Sequence, residues 1–187
     1  MKLLLHTEIS EKRWLRYILD EFLRIQSANF TIDIVDNIPV TSPDPILYYS
    51  NQPQKGRTIY KGDHNKEDID LQLNGDVLSE AKSRTNNNAF VANYDLLWNA
   101  FVQLSRLEEY RSEVNGHKIL SYSGSHPRKD KDSFYKPWVN IYFNRLENII
   151  TDNFPELEFG DGVQSRIELS HDLDYIKKTI QLRLKQT

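Results

Sequence analysis

Trp14, Tyr17, Ile18, Phe22 and Ile25 recur at spacings of three and four, which places them on one face of a helix. Glu11, Arg13, Asp20 and Arg24 fill the rest, so this helix has one face to bury and needs another element to bury it against. Directly before it, Leu3–Leu5 forms a short apolar run suited to a buried strand, and Ser10 is the expected N-cap between the two. The same one-sided demand returns twice. Leu97, Ala100, Phe101, Leu104 and Leu107 form a second stripe, widened by Trp98, and Trp138, Ile141, Tyr142, Leu146, Ile149 and Ile150 form a third. Pro137 is expected as the first residue of that third helix, where its missing N–H costs nothing, and Pro155 as its stop.

A common partner for these faces is available in the strand-like runs. Phe30, Ile32 and Ile34 alternate with Thr31 and Asp33, as in a half-buried strand. Ile46–Tyr49 and Thr58–Tyr60 are further strand segments, with Pro39, Pro43 and Pro45 before them and Pro53 and Gly56 between them as turn chemistry. Ile69, Leu71 and Leu73 alternate within an acidic stretch that ends at Asn74-Gly75, and Asn86–Asn88 reads as a loop. The connection Ser112 to Lys136 is long enough to be either functional or mobile. The expected fold class is α/β (α+β): a small mixed β-sheet with an N-terminal helix and two long helices of the C-terminal half packed on it. Residues 1–164 read as one such domain. Residues 165–187 read as the opening of another, with Arg166–Leu169 as its first strand and Tyr175, Ile176, Ile180 and Leu184 starting a helix.

Composition narrows the class of function more than it names one. At 187 residues and 39% hydrophobic content the chain can bury a core and is not a disordered polymer. A net charge of −3 gives no general attraction to nucleic acid or to an acidic membrane. Absence of cysteine excludes disulfides, thiolate metal sites and a cysteine nucleophile. The apolar start, cut by His6 and Glu8, is too short for a signal peptide or a membrane span, so a cytoplasmic location is expected.

Chemistry concentrates at His171-Asp172-Leu173-Asp174, where a strand is expected to end. Two carboxylates two residues apart on an extended backbone face the same side, beside an imidazole, and such a set suits a divalent metal. The plain alternative is a strand-to-helix turn in which an aspartate caps the helix. Asp76, Glu80 and Lys82 contain the E-x-K fragment of restriction-type nucleases, a pattern frequent by chance. Gly160-x-Gly162-x-x-Ser165 fails as a phosphate loop because it precedes a strand and not a helix. His117 and His126, with Arg128, Lys129 and Lys131, could meet an anionic sugar or phosphate, although a solvated loop is the commoner use of such residues. Arg106, Glu108 and Glu109 read as a structural ion-pair network ahead of a catalytic pair. Tyr48, Tyr49 and Tyr60 could stack on sugar rings, but strand tyrosines more often pack.

Leu169-Ser170-His171-Asp172-Leu173-Asp174-Tyr175 resembles the opening "T/S-H-D-V-D" motif of bacterial polysaccharide deacetylase-like proteins. The stretch from Trp98 to Tyr110, with Ser105-Arg106-Leu107-Glu108-Glu109-Tyr110, is similar to a segment found before the deacetylase domain in a Bacteroidetes-type subset, as is Lys136-Pro137-Trp138-Val139-Asn140. The resemblance implies that Asp172 is a general base and Asp174, with His171 beside it, a metal ligand. It also implies that a divalent metal, usually zinc, belongs to the complete protein. The paired histidines of the later H-x-x-x-H motif are missing, since no two of His6, His64, His117, His126 and His171 are four apart. The expectation is therefore a non-catalytic N-terminal accessory domain, followed by the first strand of a truncated deacetylase domain and binding no metal by itself. Its expected partners are that deacetylase domain and carbohydrate, with no nucleic acid and no membrane, and the C-terminal helix offers an oligomer contact. A metal-dependent nuclease built on Asp76, Glu80 and Lys82, or a protein-interaction module, are the alternatives.

Overall fold

The structure, a computed structural model, describes residues 1–38, 42–54, 57–62, 90–92, 94–116 and 136–162. Its elements are β1 (Lys2–His6), α1 (Arg13–Ile25), β2 (Thr31–Val35), β3 (Ile46–Ser50), β4 (Arg57–Tyr60), α2 (Leu96–Ser105), α3 (Leu107–Val114) and α4 (Trp138–Asn153). The α/β class follows as expected from the periodicities. The strands lie in the order β2-β1-β3-β4. Lys2 pairs with Thr31 and Leu5 with Ile34 on one side of β1, and Leu4 pairs with Ile46 on the other. Leu3, Leu4 and Leu5 of this central strand are all buried.

Every strand pairing described is parallel, so the sheet expected to be mixed has one direction among the described strands. Helix α1 supplies the crossover from β1 to β2, as parallel neighbours require. The step from β3 to β4 is different, because only residues 51–56 separate two parallel neighbours. The β3–β4 pair is therefore not a hairpin. Six extended residues reach about 20 Å, enough to run back along a short strand of about 13 Å and step across to its neighbour. Inside that connection the Gln54 N–H donates to Thr58 Oγ1 at 3.1 Å. Phe90–Ala92 extends the sheet edge, with Tyr60 N–H donating to the Ala92 carbonyl at 2.7 Å and Val91 N–H to that of Thr58 at 2.9 Å.

One face of the sheet presents Leu3, Leu5, Ile32, Leu47, Tyr49 and Ile59, and α1, α2 and α4 pack their apolar residues against it in one core. Helix α1 buries Leu15, Ile18, Leu19 and Phe22. Tyr17, expected in its stripe, is 42% exposed, because the buried face is centred on the two leucines instead. The helix begins at Arg13 without a side-chain cap, so Ser10 is not its N-cap; Glu11 instead accepts from the Arg13 backbone N–H at 3.0 Å. Hydrogen bonds from the Arg13 side chain hold the exposed Glu11 carboxyl down at about 2. Arg16 donates to the Ile32 carbonyl at 2.7 Å and fastens α1 to β2.

The second expected helix is broken in two at Arg106, whose φ of +54° is left-handed and ends α2 while starting α3. A non-glycine residue there carries about 1–2 kcal/mol of strain, which the packing of the flanking helices holds in place. Helix α3 continues to Val114, so the connection expected from Ser112 starts later. Pro137 stands one residue before α4, which ends at Asn153 ahead of Pro155 as anticipated. The Arg57 guanidinium lies 4.4 Å over the Phe154 ring, tying the C-terminal end of α4 to the sheet edge. Beyond α4, Gly160 donates to the Ser27 carbonyl at 2.8 Å, and a Cβ at that glycine would sit 3.1 Å from the same oxygen. Among the described residues no helix is long and apolar enough to cross a membrane.

Candidate functional site

Strand β1 sends its chain to β2 on one side, while β3 lies on its other side. Parallel α/β sheets open a crevice at such a reversal, outside the carboxyl ends of the two strands, and ligands bind there. A cleft of about 400 Å³ occupies this position. It is lined by His6, Thr7, Glu8, Ile9 and Ser10 from the end of β1, by Tyr49, Ser50 and Asn51 from the end of β3, and by Gln54 and Lys61. The unusually short step from β3 to β4 is what keeps Asn51 and Gln54 at this rim.

Beneath the cleft sits a buried carboxylate. Asp95, 3% exposed, caps α2 by accepting from the Trp98 N–H at 3.0 Å. The same carboxylate accepts from the Tyr49 hydroxyl at 2.8 Å and from the Gly62 N–H at 2.6 Å. One side chain thus joins the ends of β3 and β4 to the start of α2. Burial, then the Asp95 charge and hydrogen bond, push the Tyr49 hydroxyl well above the ordinary tyrosine value of 10.0. The Trp14 ring of α1 packs edge-on to both Tyr49 and Trp98.

That upward shift has a sign. A phenol held neutral in the folded state contributes its full stability below pH 10, and the contribution is lost as pH rises beyond it. Stability is expected to fall above pH 10 with a share of up to about 1.4 kcal/mol per pH unit from this single proton. Denaturant titrations of the protein and of Tyr49→Phe across that range measure the share; identical alkaline slopes would assign the loss to other groups.

At the cleft rim, His6 Nε2 donates to the Asp36 carbonyl at 3.0 Å and its ring meets Tyr48 edge-on at 5.5 Å. The Lys61 N–H donates to the Ser50 carbonyl at 2.9 Å. Thr7 is 1% exposed, and its Oγ1 has no hydrogen-bond partner among the described residues.

Residues 3–155 match DUF7033, a family of unknown function. The chain belongs to DUF7033. No curated protein and no solved structure matches it. The DUF7033 match takes in the cleft and nearly every element from β1 to α4, and it stops ahead of His171-Asp172-Leu173-Asp174.

The expected site residues fare unevenly within this DUF7033 fold. Arg106 and Glu109 form an ion pair at 3.4 Å with Arg106 largely exposed, while Glu108 is buried at 7% exposure. They stand at the α2–α3 joint and not at the cleft. Tyr49 is wholly buried with its hydroxyl committed to Asp95, so packing is its use, and Tyr60 meets Phe90 edge-on at 5.7 Å. His117, His126, Asp76, Glu80, Lys82, His171, Asp172 and Asp174 lie outside the described residues, as do the segments 69–73, 86–88 and 165–187. Among the described residues no group of three His, Asp or Glu side chains is placed to hold a metal ion. The cleft itself was missed from sequence. Its signal is the run of polar residues just past three apolar strands, namely His6-Thr7-Glu8, Ser50-Asn51 and Lys61, which becomes meaningful once those strands are parallel.

Proposed function

We propose that this chain is a non-catalytic accessory domain of a polysaccharide deacetylase-like protein, acting in surface glycan metabolism. The observation that carries the reading is the pairing of two motifs on one chain. Ser105-Arg106-Leu107-Glu108-Glu109-Tyr110 lies within the family match, and His171-Asp172-Leu173-Asp174 follows beyond its end. Supporting it, the first motif forms a helix joint with a buried glutamate, an arrangement that orients elements and does not present a reactive pair. On this reading His171, Asp172 and Asp174 open the deacetylase unit, with Asp172 as its base and Asp174 toward a divalent metal completed by later histidines.

The test is the source DNA downstream of the Thr187 codon, together with acetate release from acetylated oligosaccharides by the chain alone and by the longer product. An open frame carrying H-x-x-x-H some tens of residues on, with zinc-dependent acetate release only from the longer product, is the expected result. A stop codon at that point, or acetate release by the chain alone, would overturn the proposal.

A further inference from the structure

The cleft at the β1–β3 reversal carries an inference of its own. Its volume of about 400 Å³ lies within the roughly 300–1,000 Å³ typical of small-molecule sites. Of its ten lining residues, Glu8 brings one negative charge and Lys61 one positive. These two opposite charges in the lining give it no preference for an anion or a cation. Ser10, Ser50, Asn51 and Gln54 add hydroxyls and side-chain amides, each both donor and acceptor. A ligand that matches such a lining must also donate and accept at every polar point, which is the property of a sugar hydroxyl.

The second observation lies deeper. Thr7 belongs to the cleft lining and is 1% exposed, and its hydroxyl has no partner among the described residues. A buried hydroxyl left unbonded is unfavourable, so the site is poised for a group that can bond it. We infer that this cleft binds an uncharged polyhydroxylated ligand of the size of a mono- or disaccharide, held by Thr7, Asn51 and Gln54. The inference stands on the cleft alone. A stop codon after Thr187 would remove the deacetylase reading and leave this one intact, and an inert cleft would do the reverse.

The experiment is an amide NMR titration of the full chain with xylobiose, N,N′-diacetylchitobiose and maltose, and separately with inorganic phosphate. At least one uncharged disaccharide is expected to shift the amides of Thr7, Ser50, Asn51 and Lys61 with millimolar affinity, and phosphate to leave them in place. Asn51 and Gln54 are exposed, so the Asn51→Ala/Gln54→Ala variant keeps the fold, and its affinity is expected to fall about tenfold with the lost hydrogen bonds. Thr7→Val separates a ligand contact from a structural one. Its unliganded melting temperature is expected to stay level or rise, since an unbonded buried hydroxyl is removed, while sugar affinity falls. Phosphate binding in place of sugar, sugar shifts confined to other surfaces, or no shifts with any of the three sugars would each overturn the inference.

Discussion

Asp95→Ala is expected to destabilise the protein by on the order of 4 kcal/mol, a large fraction of the roughly 5–15 kcal/mol that holds a domain folded. The figure is built from named losses. Removing the cap of α2 costs about 1 kcal/mol. The Tyr49 hydroxyl and the Gly62 N–H are then left buried without this acceptor, at about 1–3 kcal/mol each. Asp95→Asn keeps the volume but turns one acceptor into a donor facing donors, so an intermediate loss of about 2 kcal/mol is expected. Urea denaturation followed by circular dichroism measures all three proteins. The coupling is testable as well, since the double variant Asp95→Ala/Tyr49→Phe should lose less than the sum of its singles. Additive losses would mean that the 2.8 Å Tyr49–Asp95 contact carries no stability of its own.

Phe22→Ala is expected to cost about 3–5 kcal/mol and lower the melting temperature by roughly 10 °C. Phe22 is fully buried and meets Phe143 of α4 edge-on at 5.6 Å and Phe159 at 5.9 Å, and Phe159 in turn meets Phe30 at 5.2 Å. This ring cluster is where α1, α4 and the chain beyond α4 share one volume. Little can collapse into the gap, because its walls are held by two helices and by the Ala28–Phe159 bridge. Phe22→Leu retains most of the volume and should lose less than half as much. Calorimetric melting decides the matter, and a fall below about 1 kcal/mol for the alanine variant would show that the cluster is not a closed core.

Both effects lie at residues of unequal legibility. Phe22 declares itself by spacing, because helical periodicity is a local property, although Tyr17 of the same stripe is exposed where the buried face centres on Leu15 and Leu19. Asp95 gives no such notice. An aspartate before Leu96-Leu97 is unremarkable as a cap, and the Tyr49 hydroxyl and Gly62 N–H that it also serves come from distant parts of the chain. The Arg106 break was equally hidden, since the apolar stripe runs through it from Leu104 to Leu107 without a change of phase.

The sequence alone determined the type of the described elements it named: three one-sided helical stripes, the second of them split by the fold at Arg106, the buried run Leu3–Leu5, the alternation in Phe30–Val35, and the stop at Pro155. These depend on interactions within a few residues and are written in local spacing. Tertiary structure decided strand order and direction, the face of α1 centred on Leu15 and Leu19, and the cleft where His6-Thr7-Glu8 meets Ser50-Asn51 and Lys61. A strand of five residues can pair with a parallel or an antiparallel neighbour, at a small difference in stability per residue. The choice is made by crossovers such as α1 and the short 51–56 connection, whose consequences appear only when the whole sheet is assembled.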